Sequence, residues 1–256
     1  MIDPRAIIAP DAMLGEGVEV GAYTIIGAGV RIGAGSWIGP HAVINGPTTL
    51  GLENKVFQFA SIGDAPQDKK YRGEPTRLEV GDRNVFREFC SVNRGTASGR
   101  GVTKIGDENL FMAYSHVAHD CIVGSNCVMS NCTALAGHVQ LGDWVILSGY
   151  AGVHQFCKVG AHSFLGNNAA ITRDVPPYLL VAGTPAEPKG VNSEGLKRRG
   201  FGPEQITNIR NAYRLLYRSG LKLAAATEQL QALAVDQPEL LPFVQFLAAS
   251  ERSIIR

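Results

Sequence analysis

The chain has almost no net charge. Its 24 lysines and arginines against 23 aspartates and glutamates leave +1 over 256 residues, which argues against a nucleic-acid binder and its large basic excess. Long apolar runs are missing too: none approaches the ~18 residues needed to cross a bilayer, so no stable membrane insertion is expected. The opening MIDPRAIIAP lacks the charged-then-apolar build of a secretory leader, and the expectation is a soluble, cytoplasmic protein. Aromatics are scarce, at 7%, so bulky core anchors are few. Five cysteines supply no disulfide framework for such a protein. What the chain has in quantity is glycine, 30 residues, which implies many turns. Its length suffices for one large domain or two ordinary ones, with a substantial core.

A period of six runs through most of the sequence. Ile8, Leu14, Val20, Ile26, Ile32, Ile38 and Ile44 open it, and Leu50, Val56 and Ile62 continue it. The step resumes at Val80, Phe86 and Val92, then again from Ile105 through Val117, Val123, Leu135 and Val153 to Ile171. Glycine often follows the aliphatic residue, and a small residue often stands four places on, as at Thr24, Ser36, Ala42 and Ala60. Helices repeat near 3.6 and strands at 2, so neither explains a sustained six. Hexapeptide periodicity is the signature of a parallel β-helix. Three hexapeptides per coil and a left-handed winding are properties of the hexapeptide class, the latter against the usual right-handed crossover.

The expected fold is therefore mainly β: a left-handed parallel β-helix of hexapeptide repeats over residues 1–185, then a C-terminal α-helical domain over 186–256. Two polar, glycine-bearing stretches leave the coil as surface loops, near 64–77 and 94–103. Beyond the prolines of DVPPYLLVAGTPAEPKG the pattern turns helical, with Ile206, Ile209, Tyr213, Leu216 and Tyr217 on one face and Gly220 as a stop. Further helices are expected over 221–235 and 239–251, capping the open end of the coil.

In such a coil, residues 18 apart stack about one strand spacing, ~4.8 Å, from each other. His119, Gly137 and Gln155 then form one column. Asp120, His138 and Phe156 form the next, and Ala118, Ala136 and His154 flank the first on its other side. His116 lies nearby. Imidazole is suited to taking a proton from a hydroxyl near neutral pH. Asp120 is placed to orient an imidazole, and stacking makes His138 its nearest histidine. Gly137, directly above His119, leaves its N–H open to an incoming carbonyl oxygen. No serine or cysteine stands as a nucleophile beside these histidines, so direct transfer is expected rather than a covalent intermediate. Cys90, Cys121, Cys127 and Cys157 fall four places after the inward aliphatic, where small packing groups sit. The six histidines form no clear three-ligand set, and no metal is expected.

Several longer motifs, AHDCIVG, LAGHVQLGDW, GVHQFCKVGAHSF, DVPPY and GVNSEGLKRRGF, with QDKKYRGEPTR and RGT before them, resemble the UDP-N-acetylglucosamine O-acyltransferases. The resemblance runs from residue 2 to the final IIR. It implies a homotrimer with sites in the clefts between subunits. There a 3-hydroxyacyl chain passes from acyl carrier protein to the 3-hydroxyl of UDP-N-acetylglucosamine, opening lipid A biosynthesis. It implies no cofactor, since the donor is carried on the phosphopantetheine of the carrier protein.

Carried over by motif, His119 is the general base, Asp120 assists it, and the N–H of Gly137 stabilises the thioester oxyanion. His116, His138 and His154 position sugar and phosphates, and Asp68 and Lys70 hold the glucosamine and diphosphate. Gln155, Asn192, Glu194 and Arg198 contact the nucleotide, some of them from the neighbouring subunit. Asn93 stands where the family commonly has histidine. Asn167 stands at the family's chain-length position, where glycine opens a deep channel, so a chain of about ten to twelve carbons is expected. Two alternatives share the coil and the histidine base. One is the same chemistry on a 3-amino UDP-sugar; the other is a coenzyme A-dependent acetyltransferase, which the helical tail disfavours.

Overall fold

The computed structural model describes residues 1–256. Strands of mostly two to four residues follow one another around corners and stack into three sheets of nine, eight and ten strands. The chain visits the sheets in turn: Ile7–Ile8, Met13–Leu14 and Glu19–Val20 lie one on each. It then returns with Ile25–Ile26 paired in parallel on Ile7–Ile8. The result is a left-handed parallel β-helix with a triangular section.

The sequence builds this shape because the second residue of each two-residue strand points inward. Ile26, Ile38, Ile44, Val56, Leu135 and Leu147 are all buried, and burying each contributes roughly 1.5–3 kcal/mol. The small residue four places on is also inside, as Thr24, Ser36 and Ala42 show, and so are the four cysteines at that phase. Corners need a left-handed residue, and here it is mostly not glycine: Tyr114, Asp120, Asn126, Cys132 and His138 all have φ near +60°. Each such residue costs about 1–2 kcal/mol, and the backbone bonds from coil to coil offset it. A ladder of asparagines pairs its buried amides. The Asn109 amide donates to Asn84 Oδ1 and the Asn84 amide to Asn54 Oδ1, at 2.9 and 3.1 Å.

Uninterrupted coils pair residues 18 apart, as Leu110 with Val128. Lys55 pairs with Val85, 30 residues on, and Val85 with Leu110, 25 on. The two excursions therefore insert 12 and 7 residues without breaking the ladder, which is how loops of unequal length are tolerated on a rigid scaffold.

At the C-terminal end, Leu179–Ala182 extends the third sheet and Glu187–Val191 adds an antiparallel strand to it. The helices begin only at Ser193, so residues 187–191 belong to the sheet rather than to the helical part. Four helices follow: α1 (Ser193–Arg198), α2 (Pro203–Tyr217), α3 (Leu223–Leu233) and α4 (Leu241–Ala249). Pro203 opens α2, where its missing N–H costs nothing, and Ile206, Ile209, Tyr213 and Leu216 form its buried face. Coil and helices share one apolar core. Tyr178 joins them, its hydroxyl donating to the Glu239 carbonyl at 3.0 Å and its ring meeting Phe243.

Candidate functional site

The corner that follows strand His116–Val117 brings His119 and Asp120 together. His119 Nδ1 lies 2.8 Å from Asp120 Oδ2. Asp120 has no exposed side-chain surface, and the second excursion wraps it. The Thr96 hydroxyl donates at 2.6 Å, the Thr96 N–H at 3.1 Å and the Arg100 N–H at 2.8 Å. Burial alone would raise this carboxyl. The bonds from His119, Thr96 and Arg100 outweigh burial and hold it at about 2. Gly99 is required here, because a Cβ on it would fall 2.5 Å from the Asp120 carboxyl carbon.

Stacking pointed to His138 as the nearest histidine of Asp120, and the structure corrects this. His138 Nε2 is 3.8 Å from Asp120 Oδ2, farther than His119. Column position gives the spacing of Cα atoms but not side-chain direction, and the left-handed Asp120 buries its carboxylate against its own neighbour, His119. The His138 ring stands edge-on to His119 and stacks on Phe156. Burial lowers its pKa, with the Asp120 charge opposing.

Gly137 lies against the His119 imidazole: a Cβ there would come within 2.6 Å of Cε1. Gly137 is buried, and its N–H makes no hydrogen bond within the chain. Because the Asp120 carboxylate only accepts, His119 carries its proton on Nδ1 and turns the Nε2 lone pair outward. The corner thus combines a proton acceptor with a free N–H donor beside it.

A serine does stand beside one of these histidines, contrary to expectation. Ser91 Oγ is 2.8 Å from His116 Nδ1. The two face each other in register on adjacent strands, but the second excursion separates them by 25 residues, so the 18-residue columns hid the pair. Burial lowers the His116 pKa, and the neighbouring His119 adds to the effect. His116 opens onto a groove of about 600 Å³ whose floor of Ala118, Ala136, Gly152 and Ala170 is small and apolar. His154 also lines it, and Gln155 is exposed next to it.

Other predicted residues lie farther off. Asp68 and Lys70 share a turn of the first excursion, where the Lys70 N–H donates to Asp68 Oδ1 at 2.9 Å, and the Asp68 charge reaches His138. Asn167 is exposed beside Asn168, which lines the groove. Asn93 is buried, with its Oδ1 unpartnered.

Asn192, Glu194 and Arg198 sit on α1 and its N-cap. The Asn192 amide donates to the His162 carbonyl at 2.9 Å, and Glu194 pairs with Lys197. His162 turns the corner between Lys158–Val159 and Phe164–Leu165, a different edge of the prism from the one Asp120 turns. Within one chain, these residues do not meet His119. Thr96 and Arg100 were not anticipated at all; only the polar RGTASGRG composition marked their loop.

His119, Asp120 and His138 place ligand atoms within 4.8 Å of one another, a set with metal-binding composition. The donor chemistry fits a cation poorly. The Asp120 oxygens already accept from Thr96, Arg100 and His119, and a cation would displace those bonds.

Comparison with known proteins agrees with this geometry. Residues 174–255 match the family model described as domain 2 of UDP N-acetylglucosamine O-acyltransferase. Residues 1–34 and 103–137 match bacterial transferase hexapeptide repeats. An acyl-[acyl-carrier-protein]–UDP-N-acetylglucosamine O-acyltransferase of Thiobacillus denitrificans is 53% identical over 255 residues, covering 100% of this chain and 99% of that one. The crystal structure of UDP-N-acetylglucosamine O-acyltransferase from Moraxella catarrhalis superposes with a TM-score of 0.98 at 41% identity, covering 100% of this chain and 99% of the other. That of the Francisella novicida acyltransferase gives 0.98 at 40%, covering 100% and 94%. On full-length identity of this order, the chain belongs to the UDP-N-acetylglucosamine O-acyltransferase family.

Proposed function

We propose that the protein transfers a 3-hydroxyacyl chain from acyl carrier protein to the 3-hydroxyl of UDP-N-acetylglucosamine, the first step of lipid A biosynthesis. The observation that carries the chemistry is the His119–Asp120 pair, at 2.8 Å, with the unpartnered N–H of Gly137 beside it. His119 Nε2 takes the proton of the sugar hydroxyl as its oxygen attacks the thioester carbonyl. The oxyanion that forms is stabilised by the Gly137 N–H. It collapses to the ester and expels the phosphopantetheine thiolate, which receives the proton from the imidazolium. Asp120 remains a carboxylate throughout and stabilises that imidazolium.

The small-residue groove onto which His116 opens suits an extended acyl chain, with Asn167, next to the groove-lining Asn168, limiting its length. His138, His154, Asp68 and Lys70 hold the sugar and diphosphate, and Gln155 the nucleotide. Asn192, Glu194 and Arg198 complete the site from a neighbouring subunit of a homotrimer. This is consistent with their position on another edge of the prism. No helix is long and apolar enough to cross a membrane, as fits a reaction between two water-soluble substrates. The working compartment in this reading is the cytoplasm.

The test offers purified protein UDP-N-acetylglucosamine and its 3-amino analogue, each with a graded series of 3-hydroxyacyl carrier proteins. Mass spectrometry reads the products. A 3-O-acylated sugar nucleotide is expected. Product from the amino sugar alone would move the reaction to an amide-forming branch, and transfer to neither would overturn the function.

A further inference from the structure

We infer that Ser91 is a positioning residue that fixes the tautomer of His116, so that two histidines of one site carry opposite tautomers and do opposite work. Each imidazole engages a side chain of its own chain through Nδ1, and that partner decides the rest. His119 faces the Asp120 carboxylate at 2.8 Å. A carboxylate only accepts, so His119 keeps its proton on Nδ1 and offers a bare Nε2. His116 faces the Ser91 hydroxyl, also at 2.8 Å. A hydroxyl can donate, and Ser91 Oγ has no other partner in the chain. With the hydroxyl proton given to Nδ1, His116 carries its own proton on Nε2.

The reverse arrangement, Nδ1–H to Ser91, would leave the hydroxyl proton without an acceptor in a half-buried place, which costs free energy. Burial and the adjacent His119 also disfavour a second proton on His116. His116 therefore presents an N–H donor to the groove, while His119 presents a lone pair. The parallel ladder locks the arrangement, because Ser91 and His116 are register partners and Val92 pairs with Val117 beside them. In the proposed reaction, on which this functional half rests, His116 holds an acceptor oxygen of the sugar nucleotide and does not compete with His119 for the proton.

The test uses the full-length protein labelled with ¹⁵N-histidine, at a pH where the imidazoles are neutral, with His116 and His119 signals assigned by His→Gln variants. His116 is expected to show a protonated Nε2 and a bare Nδ1, and His119 the reverse. Ser91→Ala should erase the His116 preference and raise KM for the sugar nucleotide about threefold to tenfold, the worth of one hydrogen bond. Its kcat should change little, and Ser91→Thr should restore both tautomer and KM.

A protonated Nδ1 on wild-type His116 would overturn the inference. So would an Ser91→Ala variant with unchanged tautomer and KM. Acyl adduct on Ser91 in a single-turnover intact-mass measurement would make it a nucleophile and overturn it as well. If the tautomers are as stated but the wild-type protein acylates nothing, the proposed function fails and the assignment of Ser91 stands.

Discussion

Asp120 is a carboxylate with no exposed side-chain surface whose oxygens are met by donors from Thr96, Arg100 and His119. A buried charge survives only when its lone pairs are used in this way. That environment keeps Asp120 ionised, and an ionised Asp120 is what sets the His119 tautomer. Gly99 leaves the necessary space. Gly99→Ala should push the excursion off the carboxylate, cost about 1–3 kcal/mol as overpacking does, and reduce kcat/KM at least tenfold. Thermal melts and steady-state kinetics on the same preparation check both halves. If the chain-length role proposed for Asn167 holds, Asn167→Gly should shift the preferred acyl chain to longer lengths, read by competing carrier-protein donors in one reaction. An unchanged preference would remove Asn167 from the length-setting role.

Among the elements, the edge carrying Trp144 and His162 ties the coil to α1. Arg199 follows α1, lies over the Trp144 ring at 5.1 Å and reaches within 3.3 Å of His162 Nδ1. Burial, with the Arg199 charge adding to it, lowers the His162 pKa from an ordinary 6.5 to about 4. The folded state therefore favours neutral His162. Its stabilising share is full above pH 6.5 and is lost as pH falls through about 4. The thermal midpoint should drop across that window, and His162→Phe should flatten the drop. Part of the slope that remains belongs to His116 and His138, whose pKa values are shifted the same way, and its acid end to carboxylates held below their ordinary range, Asp120 and Glu79 among them.

The strands were the most legible elements, because inward aliphatics at a strict six-residue step leave one way to bury them; Ile26, Val56, Leu135 and Leu147 all lie inside. Helix α2 was legible for the same reason at a different period. The site was legible in part. Stacking brought His119 beside Gly137, an uninterrupted step of 18. Ser91 and His116, and Thr96 and Asp120, lie across the second excursion. Their spacings of 25 and 24 follow from loop length, which no periodicity encodes. Side-chain direction at left-handed corners is equally hidden from stacking, which sets Asp120 beside His138, whereas the family motif pairs it with His119, as the 2.8 Å contact does.

At the scale of the molecule, a third edge carries a stack of aromatic rings, Tyr23, His41, Phe59, Phe89 and Tyr114, with successive centroids 4.8–5.4 Å apart. Phe59, Phe89 and Tyr114 are substantially exposed in the single chain. In the proposed trimer, each site draws His119 from one chain and Arg198 from the next. Mixed trimers of two inactive variants, His119→Ala and Arg198→Ala, should then regain activity, up to about a quarter of wild type for random pairing in a closed ring. Mixtures no more active than either parent would place both residues in one chain's site.

The general base is the centre of this chemistry, and kcat/KM of His119→Ala for acyl transfer to UDP-N-acetylglucosamine tests it most directly. Replacement removes one bond to the buried Asp120 carboxylate, so a modest loss of stability, about 1–3 kcal/mol, is expected with assembly retained. A fall of roughly 10²–10⁴-fold is expected from an intact oligomer. Activity within a few-fold of wild type, from an equally folded and assembled variant, would contradict the assignment of His119 as the base.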